Sequence, residues 1–305
     1  MPIESKNILE TIVEAGRQFE FGDFLPAAAM YSAVIRDGDE RDERIVHCRL
    51  NRSAAYLRLG YLAAAGRDAR YVYEICKAGA SLSSGLGAEA MKKALWRIAR
   101  SWYSRRNYQL AKESFEEMIR ASPAPVIEAE EGMRLVELRL REQKKGEYPL
   151  VDFLREGLKG PLGLIDAADY KGAIEIKRLP SRGGGRGIVA SRDVKQGELL
   201  LVEKAFDIAF ATGSGLDFDY TASTIDLKRK IVFSPTRAQH IEGIVAKLTD
   251  DPSLIPIINS LYAGPEYPNP PFPAVTTTPA AVDGSSKDSS EIAMDRIEAV
   301  CTFNE

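Results

Sequence analysis

Gly185-Arg186-Gly187 opens the stretch of this chain best suited to holding a ligand. Two glycines around an arginine let a polar molecule approach the main chain without a Cβ in the way, and only glycine takes positive φ at little cost. Ile188-Val189-Ala190 then reads as a short strand, Lys195-Gln196-Gly197 as a polar reversal, and Glu198 to Lys204 as a second, more apolar strand. A second feature is the pair Lys93 and Arg97, four residues apart and hence on one helix face. Other chemistry is sparsely represented. No paired carboxylates, metal-ligand spacing or phosphate-binding glycine loop appears, so no catalytic or metal residue is assigned. Trp96 and Trp102 fit packing or a groove floor, and Cys301 fits a small core side chain.

Two kinds of scaffold must position these residues. Residues 1–145 read as helix after helix, with a small/large pattern that returns three times. The copies are Phe19, Gly22, Phe24, Ala27, Tyr31, Val34; then Ala55, Gly60, Leu62, Ala65, Ala69, Val72; then Ala99, Trp102, Tyr108, Ala111, Phe115, Met118. Ala27, Ala65 and Ala111 are equivalent, at spacings of 38 and 46. A small residue there lets antiparallel helices touch while an aromatic neighbour fills the gap. The excess over a 34-residue repeat period falls in two loops, a charged one at 37–43 and a flexible one at 78–87. A generic helical bundle is the alternative. Residues 126–145 look like a capping helix with Glu, Arg and Lys on its outer face.

Beyond the helices the texture changes. Gly146, Pro149, Gly157, Gly160, Pro161 and Gly163 make 146–172 a linker, ending in a turn at Asp169–Gly172. Ala173–Lys177 alternates as a strand should. Ser234-Pro235 starts a helix reaching Leu248, a further helix runs from about Pro252 to Tyr262, and a last one covers Ser290–Val300. Prolines make 264–290 a long loop. The fold class expected is therefore α+β: a helical repeat array over 1–145, then a β-rich part with inserted helices over 173–305.

The string from Gly185 to Lys204 resembles the opening of a SET domain, the fold of most protein-lysine methyltransferases. The helical copies resemble tetratricopeptide repeats. Repeats followed by a split SET domain after Asp166-Ala-Ala-Asp-Tyr170 resemble the fungal TPR–SET proteins related to the SET-and-MYND group, although the cysteines of a MYND zinc cluster are absent. The resemblance implies S-adenosylmethionine as cofactor, held in part at Gly185, Arg186 and Gly187. Asn304 would be a further donor contact, where Val300–Glu305 looks like the start of the family's Asn-x-Phe strand. It also implies a peptide groove on the repeats. The carboxylate clamp of co-chaperone repeats maps here onto Asn51, Lys93 and Arg97, each charge-assisted bond worth roughly 1.5–3 kcal/mol. Ile12 and Gly16 replace the clamp's first-repeat Lys and Asn. A solvated basic face, with Asn51 in a helix–helix hydrogen bond, explains the same three residues.

The family's Asn-His motif and the segment bearing its tyrosine do not occur in these 305 residues, whose two histidines, His47 and His240, follow no asparagine. The resemblance thus stops before the catalytic core. It implies little or no methyl transfer by the chain as it stands, and a fragment or truncation. A non-catalytic repeat scaffold with a structural SET remnant is the alternative. A net charge of −3 argues against general nucleic-acid binding. No apolar run of about 20 residues points to the membrane. The opening Met-Pro-Ile-Glu-Ser-Lys is unlike a signal peptide, and three scattered cysteines form no disulfide set. The expected location is intracellular, in cytoplasm or nucleus, with a protein or peptide as partner.

Overall fold

The computed structural model describes residues 5–38, 42–79, 86–122, 126–158, 165–180, 185–209, 224–226, 230–233, 235–267 and 292–304. In chain order its helices are α1 (Ser5–Phe21), α2 (Phe24–Asp37), α3 (Glu43–Leu59), α4 (Leu62–Lys77), α5 (Leu86–Ser104), α6 (Tyr108–Ala121), α7 (Ile127–Lys145) and α8 (Leu150–Gly157). Strands β1 (Tyr170–Lys171), β2 (Ile174–Arg178), β3 (Arg186–Ala190), β4 (Leu201–Val202), β5 (Thr224–Asp226) and β6 (Ile231–Phe233) follow. Helices α9 (Pro235–Asp250), α10 (Ile255–Asn259) and α11 (Met294–Asn304) come last. Most of the proline-rich loop expected over 264–290 lies outside the described residues, as do parts of the two expected inter-repeat loops.

Three connections between successive helices turn in the same way. Gly22 at φ 90°, Gly60 at φ 80° and Arg106 at φ 65° stand at equivalent places after α1, α3 and α5. In each turn the next amide reaches back five residues: Asp23 to the Gln18 carbonyl, Tyr61 to Tyr56, and Asn107 to Trp102, all at 2.9 Å. This satisfies a carbonyl that the helix end would leave open. Five residues past each turn lie Ala27, Ala65 and Ala111, all at 0 % exposure. The last four members of each copy keep the same offsets from the turn, from Phe24, Leu62 and Tyr108 to Val34, Val72 and Met118, whereas the first two members do not.

Packing divides the chain into two compact units, residues 1–107 with 206–305, and residues 108–205. The boundary drawn near 145 from composition is not the one that packing follows. In the first unit, Ala15, Ala27, Tyr31, Val34, Ile45 and Cys48 form one core among α1, α2 and α3. A Cβ on Gly66 would lie 2.6 Å from Ser101 Oγ, so glycine lets α4 and α5 approach closely. Ser101 then donates to the Leu62 carbonyl at 2.7 Å. A separate core joins α9, α10 and α11 through Ile244, Leu248, Ile255, Ile258, Ile297, Val300 and Cys301. Pro235 begins α9 as the sequence implies, whereas the helix expected from Pro252 is a 3-10 turn (Pro252–Leu254) followed by the short α10. The strands β5 and β6 pair antiparallel.

In the second unit, Gly132 of α7 faces the Phe115 ring of α6 so closely that a side chain there would collide. Helix α7 is not the solvated cap expected of it. It buries Ala129, Val136, Arg139 and Glu142, with Arg139 donating to Glu142 at 2.8 Å. Glu142 also accepts the Ala168 amide at 2.9 Å, and Tyr148 donates to the Ala168 carbonyl at 2.7 Å. The buried pair thus holds the chain leading into β1. The stretch read as a linker contains α8, and its expected turn at 169–172 contains β1. Strands β2 and β3 form one antiparallel ribbon, and β1 pairs with β4 in another. The reversal at Gly197 (φ 80°) therefore leads the chain back to β1 rather than onto β3.

Candidate functional site

Gly185-Arg186-Gly187 lies on the β2–β3 hairpin of the second unit. Arg186 pairs in register with Arg178, and Gly187 with Lys177. The Leu179 amide donates to the Gly185 carbonyl at 2.8 Å, closing the hairpin end. Neither glycine adopts a left-handed conformation, so positive φ is not the reason for glycine here. Gly187 has a different reason: a Cβ would run into the Leu179 side chain. Among the described residues nothing lies within 4 Å of the place a Cβ on Gly185 would take, and both Gly185 and Arg186 are exposed. The described residues leave the main chain there open to a ligand and do not wall it.

Asn304 ends helix α11 in the first unit. Residues 300–304 are helical, which corrects the expectation of a strand starting there. The donor-side residues named from the sequence therefore fall in different units.

The expected clamp residues have other occupations. Arg97 is turned into the α3–α5 contact, where its Nη1 donates to the Leu50 carbonyl and to Ser53 Oγ at 3.3 Å. Burial pulls its guanidinium down to about 10, so it stays charged at neutral pH. Lys93 pairs with Glu89 at 3.4 Å one turn away. Asn51 is exposed and hydrogen-bonds the Tyr31 phenol. Arg97 thus sits in a helix–helix contact, where neither the clamp nor the solvated basic face places it. It satisfies a buried carbonyl instead of waiting for a ligand.

Sequence reasoning missed the polar joint beside these helices. Asp68, with a side chain 5 % exposed, accepts two bonds from Arg52 at 2.6 and 2.8 Å and one from Arg49 at 3.3 Å. Arg52 also donates to Ser32 Oγ at 2.9 Å, tying α2, α3 and α4 together. Arg49 lies over the Tyr71 ring at 4.1 Å. Asp207 faces His240 Nδ1 at 3.1 Å and Lys247 Nζ at 2.5 Å on α9. The only hint in the sequence was the spacing of Arg49 and Arg52, because their acidic partner lies sixteen residues or more along the chain.

Two clefts are formed by described residues. One, of about 490 Å³, is lined by Leu138, Arg141, Tyr148, Pro149, Leu150 and Leu199 in the second unit. The other, of about 540 Å³ in the first unit, lies among Tyr56, Tyr61, Arg67, Val245, Asp250 and Met294. Neither contains Gly185, Arg186, Gly187, Asn51, Lys93, Arg97 or Asn304. Among the described residues, no helix is long and apolar enough to cross a membrane.

Comparison with known proteins gives a partial likeness. No family model matches the chain. A protein of Gibberella zeae described as a methyltransferase is 30% identical over 228 residues, which is 75% of this chain. The chain spans 29% of that relative's length. Among solved structures, the first TPR of Spaghetti (RPAP3) bound to the HSP90 peptide SRMEEVD is 20% identical and has a TM-score of 0.36. It covers 46% of this chain and 98% of its own.

Proposed function

We propose that the chain is the partner-recruiting and N-terminal part of an S-adenosylmethionine-dependent protein methyltransferase of the TPR–SET kind. One observation carries this reading. The likeness to the Gibberella methyltransferase covers 228 residues, more than either 1–145 or 146–305 alone, so it runs from the helical segment into the strand-bearing one. Similarity between helical arrays alone would stop near residue 145.

In this reading α1 to α6 are three tetratricopeptide repeats, supported by their shared turn and buried alanines. Their task is to bind a protein or peptide, through a face that does not use Arg97. The open main chain at Gly185 supplies one edge of the donor side. The described residues around it form no enclosure, so they do not by themselves fit a bound donor, and no methyl-transfer step is assigned to them. The same exposure of Gly185 and Arg186 favours the second reading, a non-catalytic scaffold with a structural SET remnant.

Titrating S-adenosylmethionine into isotope-labelled chain separates the two. Because that edge is unenclosed, the methyltransferase reading expects only weak amide shifts, confined to residues 185–190 and growing up to the highest donor concentration, with no labelled methyl passed to protein. A spectrum unmoved by donor up to its solubility overturns the donor edge and leaves the scaffold.

A further inference from the structure

Two apolar clusters of the first unit share no residue: one is confined to 8–48 and the other to 206–301, while further buried residues of α3, α4 and α5 belong to neither. Polar groups join the C-terminal helices to α4 and α5. Helix α4 begins after Tyr61, which gives it no side-chain cap. The missing cap comes from far along the chain. Asp250, the last residue of α9, accepts the Ala63 amide on Oδ2 at 2.7 Å and the Ala64 amide on Oδ1 at 2.8 Å. A carboxylate at a helix N-terminus satisfies orphan amides and meets the positive end of the helix dipole. Arg67, further along α4, donates to the Asp250 carbonyl at 3.2 Å.

The next residue makes a second attachment of a different kind, an ion pair with Arg105 just past the end of α5. Arg105 donates to Asp251 Oδ2 through Nε at 3.1 Å and Nη2 at 2.6 Å. Their side chains are 17 % and 12 % exposed, so water screens the pair little. Arg105 is held in place by stacking over the Trp102 ring at 4.4 Å. Asp251 is fixed by accepting from Ser253 Oγ at 2.6 Å. Both partners are therefore oriented before they meet.

We propose that Asp250-Asp251 is a latch that holds α9, α10 and α11 on the helical array, and that its opening frees these helices as one body. Two adjacent carboxylates carry the attachment, one on the bare start of α4 and one on Arg105. The cleft of about 540 Å³ beside it, between Tyr56, Tyr61 and Val245, has Asp250 in its wall, so it persists only while the latch is shut. The apolar cluster within α9, α10 and α11 draws all its buried residues from the chain beyond 206, so opening the latch leaves it intact.

Hydrogen exchange on the full chain tests this. Asp250→Asn with Asp251→Asn should speed exchange at Ala63, Ala64 and throughout α9–α11 by about tenfold or more. Exchange in α1 and α2 should stay unchanged. Uniform acceleration that includes α1 and α2 overturns the proposal, because the carboxylates would then serve global stability alone. Unchanged exchange in α9–α11 overturns it as well. Should the double variant fail to fold, the reciprocal pair Arg105→Asp and Asp251→Arg gives a separate reading. Each single change should loosen α9–α11 and the combination should restore at least half of the loss; no recovery refutes the Arg105 arm.

Discussion

The turn after α3 and the hairpin end before β3 both rely on glycine, for opposite reasons. Gly60 takes φ 80° with nothing within 4 Å of its would-be Cβ, so its value is conformational. Gly187 has ordinary strand geometry and stands against Leu179, so its value is the absence of a side chain. The first kind of glycine repeats with the helices and is enforced locally by a hydrogen bond five residues back. The second depends on what packs across a ribbon that is two strands wide among the described residues. Its directly opposed Ile176 and Ile188 remain 36 % and 59 % exposed. Two-stranded ribbons draw little stability from themselves. The helical array thus carries its determinants within each hairpin, whereas the ribbon depends on its surroundings.

That contrast is broken most forcefully at Asp68. Asp68→Ala should destabilise the array by about 3–5 kcal/mol, since two guanidiniums would be left unpaired in a largely buried joint. Urea unfolding followed by helix signal measures it. A loss within the range of an ordinary surface change would mean that the hairpins are held by their alanine seams alone.

Glu142 sharpens the comparison from the other unit. Burial pushes its carboxyl above the usual range, ahead of the opposing influence of the Ala168 amide and Arg139. A raised folded-state value means the folded chain binds the proton more readily than the unfolded one. Stability contributed by this group is then lost as pH rises from the ordinary carboxylate value through the folded one. Glu142→Gln should therefore gain on the parent in melting temperature as pH goes from about 4 to about 7. A variant that falls further behind with rising pH would show instead that the Arg139 pair outweighs the burial of its charge.

The β-hairpin gives a smaller, paired effect. Gly187→Ala should cost about 1 kcal/mol by displacing Leu179, and Gly185→Ala should change stability by less than about 0.5 kcal/mol. Equal costs, read from thermal melts, would return the two glycines to a common conformational role.

These contrasts also explain what could be read from the residues in advance. Ala27, Ala65 and Ala111 were legible because burial along the helix after each turn recurs at fixed offsets from it. Helix α9 was legible from Pro235 at its first position. The occupation of Arg97 was not, since its acceptor is the backbone of Leu50, which is invisible to residue type. Nor was the role of α7, because the charges that suggested a solvated face include Arg139 and Glu142, which neutralise each other inside. The pairing of β4 with β1 escaped for a related reason: both strands are two residues long, too short to show alternation.

Arg106 is where the sequence hid its own repeat. The first two connections place glycine at the left-handed turn position, and the third places arginine there at φ 65°. The backbone conformation is the same, down to the amide of Asn107 reaching the Trp102 carbonyl at 2.9 Å. An L side chain in that region costs about 1 kcal/mol or more. Glycine removes this strain but frees the unfolded chain, which returns part of the gain. Arg106→Gly should then stabilise the chain by about 0.5–1 kcal/mol, raising the melting temperature without changing the helical content. A loss of stability would show that contacts of the Arg106 side chain outweigh the strain at its main chain, and that the third turn is built differently from the other two.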